Sequence, residues 1–304
     1  GGTEYRNAEV FGYLASEGAP GRVVLLAPTD PKLLDLYLDS GAKVRANVDP
    51  SGIIRVVQRF DTLYFQGVRP ASATARSWLG RKRPTMLAQN GLNWHDGLIQ
   101  RMARRVTLSQ MGAVVVNSEA VLRQVSALGP RQASKTYLVP SALSHIWFEG
   151  REHYAPAERI LMVGNDRPEK HHDFALDCFA RAARSNPRLH ITVFTDQPRA
   201  VAEARERHQD IAGRIELVLG RALSPADFDE FGTLLHVSLS ESRSRSILQA
   251  KARGLRVVAS SAGDTAHLLD TDDFLVPVGS FEATVAALCR ATHGALQRVQ
   301  RIST

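Results

Sequence analysis

The chain has 304 residues, enough for two ordinary domains or one large one. Its 44% hydrophobic and 23% charged residues exclude a disordered, fibrous or membrane-embedded class, and no apolar run reaches the roughly 18 to 20 residues that a bilayer-crossing helix needs. The net charge is +7, with arginine supplying 32 of the 38 basic residues, which directs attention to anionic partners: nucleic acid, anionic lipid or acidic substrates.

Short β-branched runs alternate with helical stretches along the whole chain, the pattern of parallel sheets flanked by helices. In the first half, strands are expected at 22–27, 63–66, 85–88, 113–116 and 137–139, and helices at 5–16, 31–40, 94–109 and 119–128. Residues 140–156 lapse into a Gly, Pro and aromatic stretch, as at a hand-over between domains. Strands then resume at 159–163, 190–194, 216–219, 235–238, 256–260 and 274–276. Helices are expected between and after them at 174–183, 199–208, 225–231, 246–253 and 281–292. The fold class is therefore α/β with two doubly wound domains, an N-terminal one over 1–145 and a C-terminal one over 157–304, joined by a linker at 146–156. Cys178 and Cys289 fall inside amphipathic helices, the placement of buried thiols in a cytoplasmic protein.

Two segments carry chemistry. In ILMVGNDRPEKHHDF a buried strand ends at Gly164 and Asn165, and a loop bearing Arg167 and Lys170 leads into a helix. Cations between a strand end and a helix N-terminus suit a phosphate, and a solvated turn is the plainer alternative. In LSESRSRSILQAKARGLRVVASSAGD a strand ends near Ser240 and Glu241, and a helix begins near Ser246. Glu241 and Gln249 would then face one crevice, where a carboxylate and an amide bind sugar or ribose hydroxyls while amides around Ser246 and Ile247 take a phosphate. A helix-capping acid is the alternative for Glu241. His171 and His172 have no third ligand at metal spacing and read as a surface pair at a helix start.

A basic concentration lies between residues 66 and 118, where eight Arg or Lys face the single acid Asp96. Within it, the stretch from Arg76 to Arg83 interleaves Trp78 and Leu79 with Arg81 and Lys82. That suits either contact with an anionic membrane surface or an inward Trp beside a basic loop.

These motifs, taken in order, resemble the retaining nucleotide-sugar glycosyltransferases of family 4, also called glycosyl transferases group 1. The matching pieces are GGTEYRNAEVFGYLASEG at the N-terminus, GAVVVNSEAVLRQV, VGNDRPEKHHD, LVLGRA and SESRSRSILQAKARGLRVVA. The resemblance implies the GT-B fold, two Rossmann-like domains facing across a cleft, with an N-terminal acceptor side and a C-terminal donor side. It implies transfer of a sugar from a nucleotide diphosphate sugar to a hydroxyl, lipid-linked or on a glycan, with retention, in bacterial glycan or glycoconjugate synthesis.

By the same resemblance, Lys170, Arg167, the Ser246 helix start and Gly2 would stabilise the departing diphosphate. Glu241 would hold the donor sugar and Gln249 the ribose. Gly220, Arg221 and Ala222 would line the nucleobase, Gly164, Asn165 and Ile247 would complete the donor site, and Asn90 and His95 would serve the acceptor side. Neither a metal nor a cofactor is implied, since the donor is a co-substrate and cations do a metal's work. Nucleic acid is not an expected partner. Departures from the family pattern at Asn165, Gln249, Asn90 and His267 set a second reading beside it, a catalytically degenerate relative acting as a binding or partner subunit. The family's first strand precedes the GGxE loop, so the first domain is expected to lack it.

Overall fold

The structure, a computed structural model, describes residues 16–18, 22–26, 31–48, 63–66, 85–89, 97–149, 154–220, 223–293 and 297–298. Two compact units divide between Ser141 and Ala142. The helix expected over 5–16 lies outside the described residues apart from its last position, and so do Gly2, Asn90, His95, Arg221, Ala222 and the stretch from Arg76 to Arg83.

In the first unit, β1 (Arg22–Leu26) pairs in parallel with β2 (Lys43–Val48), connected through α1 (Pro31–Asp39). The segment β2 was not expected as a strand. Its KVRANV sequence alternates polar and apolar residues, the period of a strand with one buried face, and lacks the continuous apolar run of RVVLL or AVVV. A second sheet runs β3 (Leu63–Gln66), β4 (Thr85–Gln89), β5 (Ala113–Val116) and β6 (Thr136–Leu138), all parallel. Between β4 and β5 lies α2 (Leu98–Gln110), whose C-terminal region is closed by Lys135 Nζ donating to the carbonyls of Ser109 at 2.8 Å and Met111 at 2.5 Å. Helix α3 (Glu119–Ser126) starts on Ser118, whose Oγ accepts from the Val121 amide at 3.2 Å, and the short α4 (Pro130–Ala133) follows.

In the second unit, β7 (Tyr154–Ala155) pairs antiparallel with β14 (Gln297–Arg298) beside the main sheet. The main sheet contains β8 (Arg159–Val163), β9 (His190–Thr195), β10 (Ile215–Leu219), β11 (Thr233–His236), β12 (Arg256–Ser260) and β13 (Phe274–Val276). All pair in parallel in the order β10-β9-β8-β11-β12-β13. The pleat sorts the core into two layers. Ile160, Met162, Ile191, Val193, Leu235 and Val258 pack with α5 (His172–Ser185), α6 (Arg199–Arg207) and α9 (Phe281–Ala291). Leu161, Phe194, Leu234, Val257 and Ala259 pack on the opposite layer with Phe228 of α7 (Pro225–Phe228) and Ile247 of α8 (Arg245–Ala252). Apolar residues on α5 recur at 172-relative steps of three and four, Ala175, Leu176, Phe179, Ala180 and Ala183, all buried. Each large side chain such as Phe179 contributes roughly 2 to 3 kcal/mol by burial.

Strand order reverses beside β8: the chain steps outward to β9 and β10, then returns to β8's other side for β11, β12 and β13. The loops leaving β8 and β11 therefore open at the sheet's topological switch point, the place where parallel α/β sheets form a ligand crevice.

Behind α8, Arg253 is buried, 6% exposed, and donates to both Asp229 oxygens at 2.7 Å and to the carbonyls of Trp147 and Glu149. Removing the carboxylate strands a buried guanidinium. Asp229→Ala is expected to cost about 3 to 5 kcal/mol in urea unfolding, and a loss below about 1 kcal/mol, the size of an exposed pair, would contradict this role.

Candidate active site

The loop after β8 begins at Gly164, which has φ of 153° and lies against Lys170 and His172 at 3.5 to 3.7 Å from where a Cβ would stand. Asp166 pins this loop from a nearly closed position: its carboxylate accepts from Arg199 Nη2 at 3.0 Å and the Ala200 amide at 3.3 Å. The Pro168–Lys170 turn then delivers Lys170 inward. The main chain joins this loop to the one after β11, because the Leu239 amide donates to the Glu169 carbonyl at 2.8 Å.

At that junction Lys170 Nζ forms an ion pair with Glu241 Oε1. The same oxygen accepts from His236 Nε2 at 2.9 Å and from Ser238 Oγ at 3.2 Å. The Nδ1 atom of His236 lies 3.4 Å from Ser246 Oγ, which is 3.0 Å from Ser244 Oγ, so the cluster reaches the first turn of α8. Burial by itself pushes the Glu241 carboxyl up; the hydrogen bond and charge of His236, with Lys170, outweigh it and hold the pKa at about 2. Glu241 is therefore a fixed anion at neutral pH, held by a lysine whose side chain is 26% exposed.

Gly263 fixes the height of this carboxylate. It has φ of 59°, and an added Cβ would lie 1.7 Å from the Glu241 carbonyl oxygen, so only glycine lets the β12–β13 connection pass beneath the loop. The Asp264 amide closes that approach by donating to the Ser242 carbonyl at 3.1 Å.

Of the residues singled out by sequence, Lys170, Glu241 and Ser246 come together in this cluster. Arg167 is placed differently: its side chain is 64% exposed and its nearest ionic neighbour among the described residues is Glu169, at 4.0 Å. Asn165 is half-buried and its carbonyl accepts from the Arg167 amide. Gly220, with φ of 63°, is exposed just past β10, and Gln249 is half-buried one turn along α8 from Ser246. The Ile247 amide already donates to Ser244 Oγ at 3.4 Å, which leaves it a poorer phosphate donor than expected. Ser244 caps α8, so the capping role considered for Glu241 is filled by another residue.

Two further expectations are corrected. His172 does not share a surface pair with His171: it is buried, 4% exposed, at the start of α5, and burial holds its pKa below the ordinary value. His171 instead adopts φ of 54° and stacks on Phe174 at 4.6 Å. Strand β11 spans Thr233–His236 and not 235–238, because pairing with β12 ends at His236 and the Ser238 carbonyl accepts the Ser260 hydroxyl. Cys178 is held inert by burial, with a pKa pushed up to about 12.

Sequence reasoning missed His236, whose Nε2 lies 2.9 Å from Glu241 Oε1. The signal was an imidazole inside the otherwise apolar run TLLHV, five positions before an acid.

Residues 157–293 match the profile of the family glycosyl transferases group 1. The matched stretch covers 137 of the 304 residues and lies within the second unit. The domain class is that of a transferase enzyme, and the fold of the whole chain is that of GT-B glycosyltransferases. The structure is similar to HepE of Anabaena in complex with UDP-glucose, with a TM-score of 0.77 at 16% identity over 96% of this chain and 90% of that one. It is similar to a glycosyltransferase of Rickettsia africae, with a TM-score of 0.77 at 13% identity over 96% and 84% of the two chains. The lipopolysaccharide outer core galactosyltransferase WaaB gives 0.65 at 14% identity over 96% and 87%. Comparison by sequence with curated proteins gives no match.

The depressed pKa of Glu241 fixes a pH dependence. A carboxyl at about 2 in the folded chain, against an ordinary 4.5, contributes stability that is fully present above pH 4.5 and is lost as pH falls towards 2. The stability difference between the parent chain and Glu241→Gln, on the order of 3 kcal/mol at neutral pH, is expected to close over that window. Urea unfolding at several pH values measures it, and a difference that stays constant would contradict the ionised cluster.

Proposed function

We propose that the chain transfers a sugar from a nucleotide diphosphate sugar to a hydroxyl acceptor with retention at the anomeric carbon. The observation that carries this reading is the Lys170–Glu241–His236 cluster at the carboxyl edge of the transferase domain's sheet, beside its switch point. Three donors occupy Oε1 of Glu241, so Oε2 is the oxygen we assign to hydroxyls of the donor sugar. Lys170 lies where a diphosphate would meet a cation and the first turn of α8 together, and it neutralises the leaving group as the glycosidic bond breaks. Gln249, one turn from Ser246 on α8, is assigned to the ribose, and Gly220 to the nucleobase side. Arg167, on the open face of the same loop, supplies a second positive charge to the diphosphate. The HepE structure holding UDP-glucose supports a nucleotide-sugar donor for this fold.

The acceptor is assigned as a hydroxyl of a lipid-linked or glycan substrate in bacterial glycan synthesis, with no metal or cofactor taking part. Two free cysteines, Cys178 and Cys289, support a cytoplasmic site of action.

Lys170→Ala is expected to weaken binding of the nucleotide diphosphate by about 1 to 3 kcal/mol, the worth of a charge-assisted bond, in isothermal titration. An unchanged dissociation constant would count against the diphosphate assignment.

Gln249 favours the competing reading, a binding subunit without turnover, since an amide replaces the carboxylate expected against a ribose diol. A carboxylate accepts through two oxygens where the amide has one. Gln249→Glu is expected to tighten nucleotide binding by about 1 to 2 kcal/mol if the side chain meets the ribose. Sugar transfer by the unmodified chain, followed by mass spectrometry over a panel of nucleotide sugars, excludes the subunit reading; hydrolysis and transfer both at background would support it.

A further inference from the structure

Helix α2 of the first unit carries an unusual exposed face. Leu98, Ile99, Met102 and Val106 are 75%, 80%, 61% and 57% exposed. At about 100° per residue these four side chains fill one arc of about 100°, opposite Thr107 and Leu108, which the helix buries. Thr107 and Ser109 turn their hydroxyls onto the helix's own carbonyls, of Ala103 at 2.9 Å and Val106 at 2.7 Å, so they add no polar edge to the arc. Arg101 and Arg105 stand exposed along one margin of the arc, Arg104 is half-buried beyond them, and the thirteen residues of the helix include no acid. Among the described residues no carboxylate pairs with Arg101 or Arg105.

We propose that α2 docks the protein on an anionic lipid bilayer, the four apolar side chains entering the interface while Arg101 and Arg105 meet lipid phosphates. Charge decides among the occupants of such a face. A symmetric contact between two copies of α2 would bring together two helices that carry arginines and no acid, so their positive margins would find no counter-charge on the facing helix. A bilayer offers apolar depth beneath a plane of phosphates, the arrangement that an apolar arc with a cationic margin complements. The net charge of +7 on the chain adds to the attraction. This inference goes beyond the donor-site reading and stands without it, because it rests on a different unit and is tested without measuring transfer.

The test is co-sedimentation of the full chain with vesicles of phosphatidylcholine alone or with about one-third phosphatidylglycerol. Binding is expected to the anionic vesicles only, and to weaken as salt rises. Replacing Arg101 and Arg105 by Gln should reduce partitioning by about fivefold per charge, and Ile99→Asp with Met102→Asp by about tenfold or more. These positions are exposed, so the thermal transition should hold; if the double variant unfolds, Met102→Gln alone serves, with a smaller loss. Equal binding to neutral vesicles, or binding that the α2 variants leave intact, would overturn the proposal. So would binding abolished only by replacing Arg76, Arg81, Lys82 and Arg83. A chain that binds no vesicle but forms a dimer dissociated by Ile99→Asp and Met102→Asp would overturn it in favour of a second copy.

Discussion

The Glu241 carboxylate, charged and almost enclosed, is the constraint on which the second unit's candidate site depends. Burying a lone carboxylate costs several kcal/mol, and it stays ionised only because Lys170, His236 and Ser238 all donate to one of its oxygens. Those donors come from three places: the loop after β8, the end of β11 and the turn beyond it. One carboxylate therefore ties together the two loops that open at the switch point, and the backbone bond from Leu239 to Glu169 sets their spacing. A preorganised charge of this kind needs no rearrangement when a polar ligand arrives, which is the condition for electrostatic stabilisation of a leaving group.

The scaffold narrows what can occupy these positions. Gly263 passes so close to Glu241 that any side chain there would displace the loop, and Gly164 adopts φ of 153°, a conformation that L side chains rarely take. Asp166 holds the β8 loop through Arg199 and the start of α6, which relates the lysine's position to helix packing on one layer of the sheet. On the other layer, Ile247 anchors α8 so that Ser246 meets His236 and Ser244 meets Ser246. Site geometry here is a consequence of the two core layers meeting at one strand edge.

Much of this was legible from sequence where burial and local chemistry agree. The central strands of the second unit are apolar runs that are largely buried, as at RILMV, TLLH and RVVAS, and the helices between them carry clear three-and-four spacing, so elements emerged within a few residues. Lys170 and Glu241 stood out because each follows a strand end in a polar turn. What stayed hidden was long-range. His236 looked like part of an apolar strand, His172 like a surface residue, and Gly263 like any turn glycine, because their partners lie on other segments of the chain. Strand β2 carried a signal of another kind: KVRANV alternates polar and apolar residues, the period of a half-buried strand, whereas most of the expected strands were read from apolar runs.

The central claim is that a nucleotide diphosphate sugar is held where the β8 and β11 loops meet. Hydrogen exchange read by mass spectrometry, with and without saturating nucleotide diphosphate, tests it most directly. Slower exchange is expected in peptides covering 164–171 and 238–249, with the remainder of the second unit's sheet unchanged. Protection confined to other segments, with these two loops exchanging as in the free chain, would contradict the account.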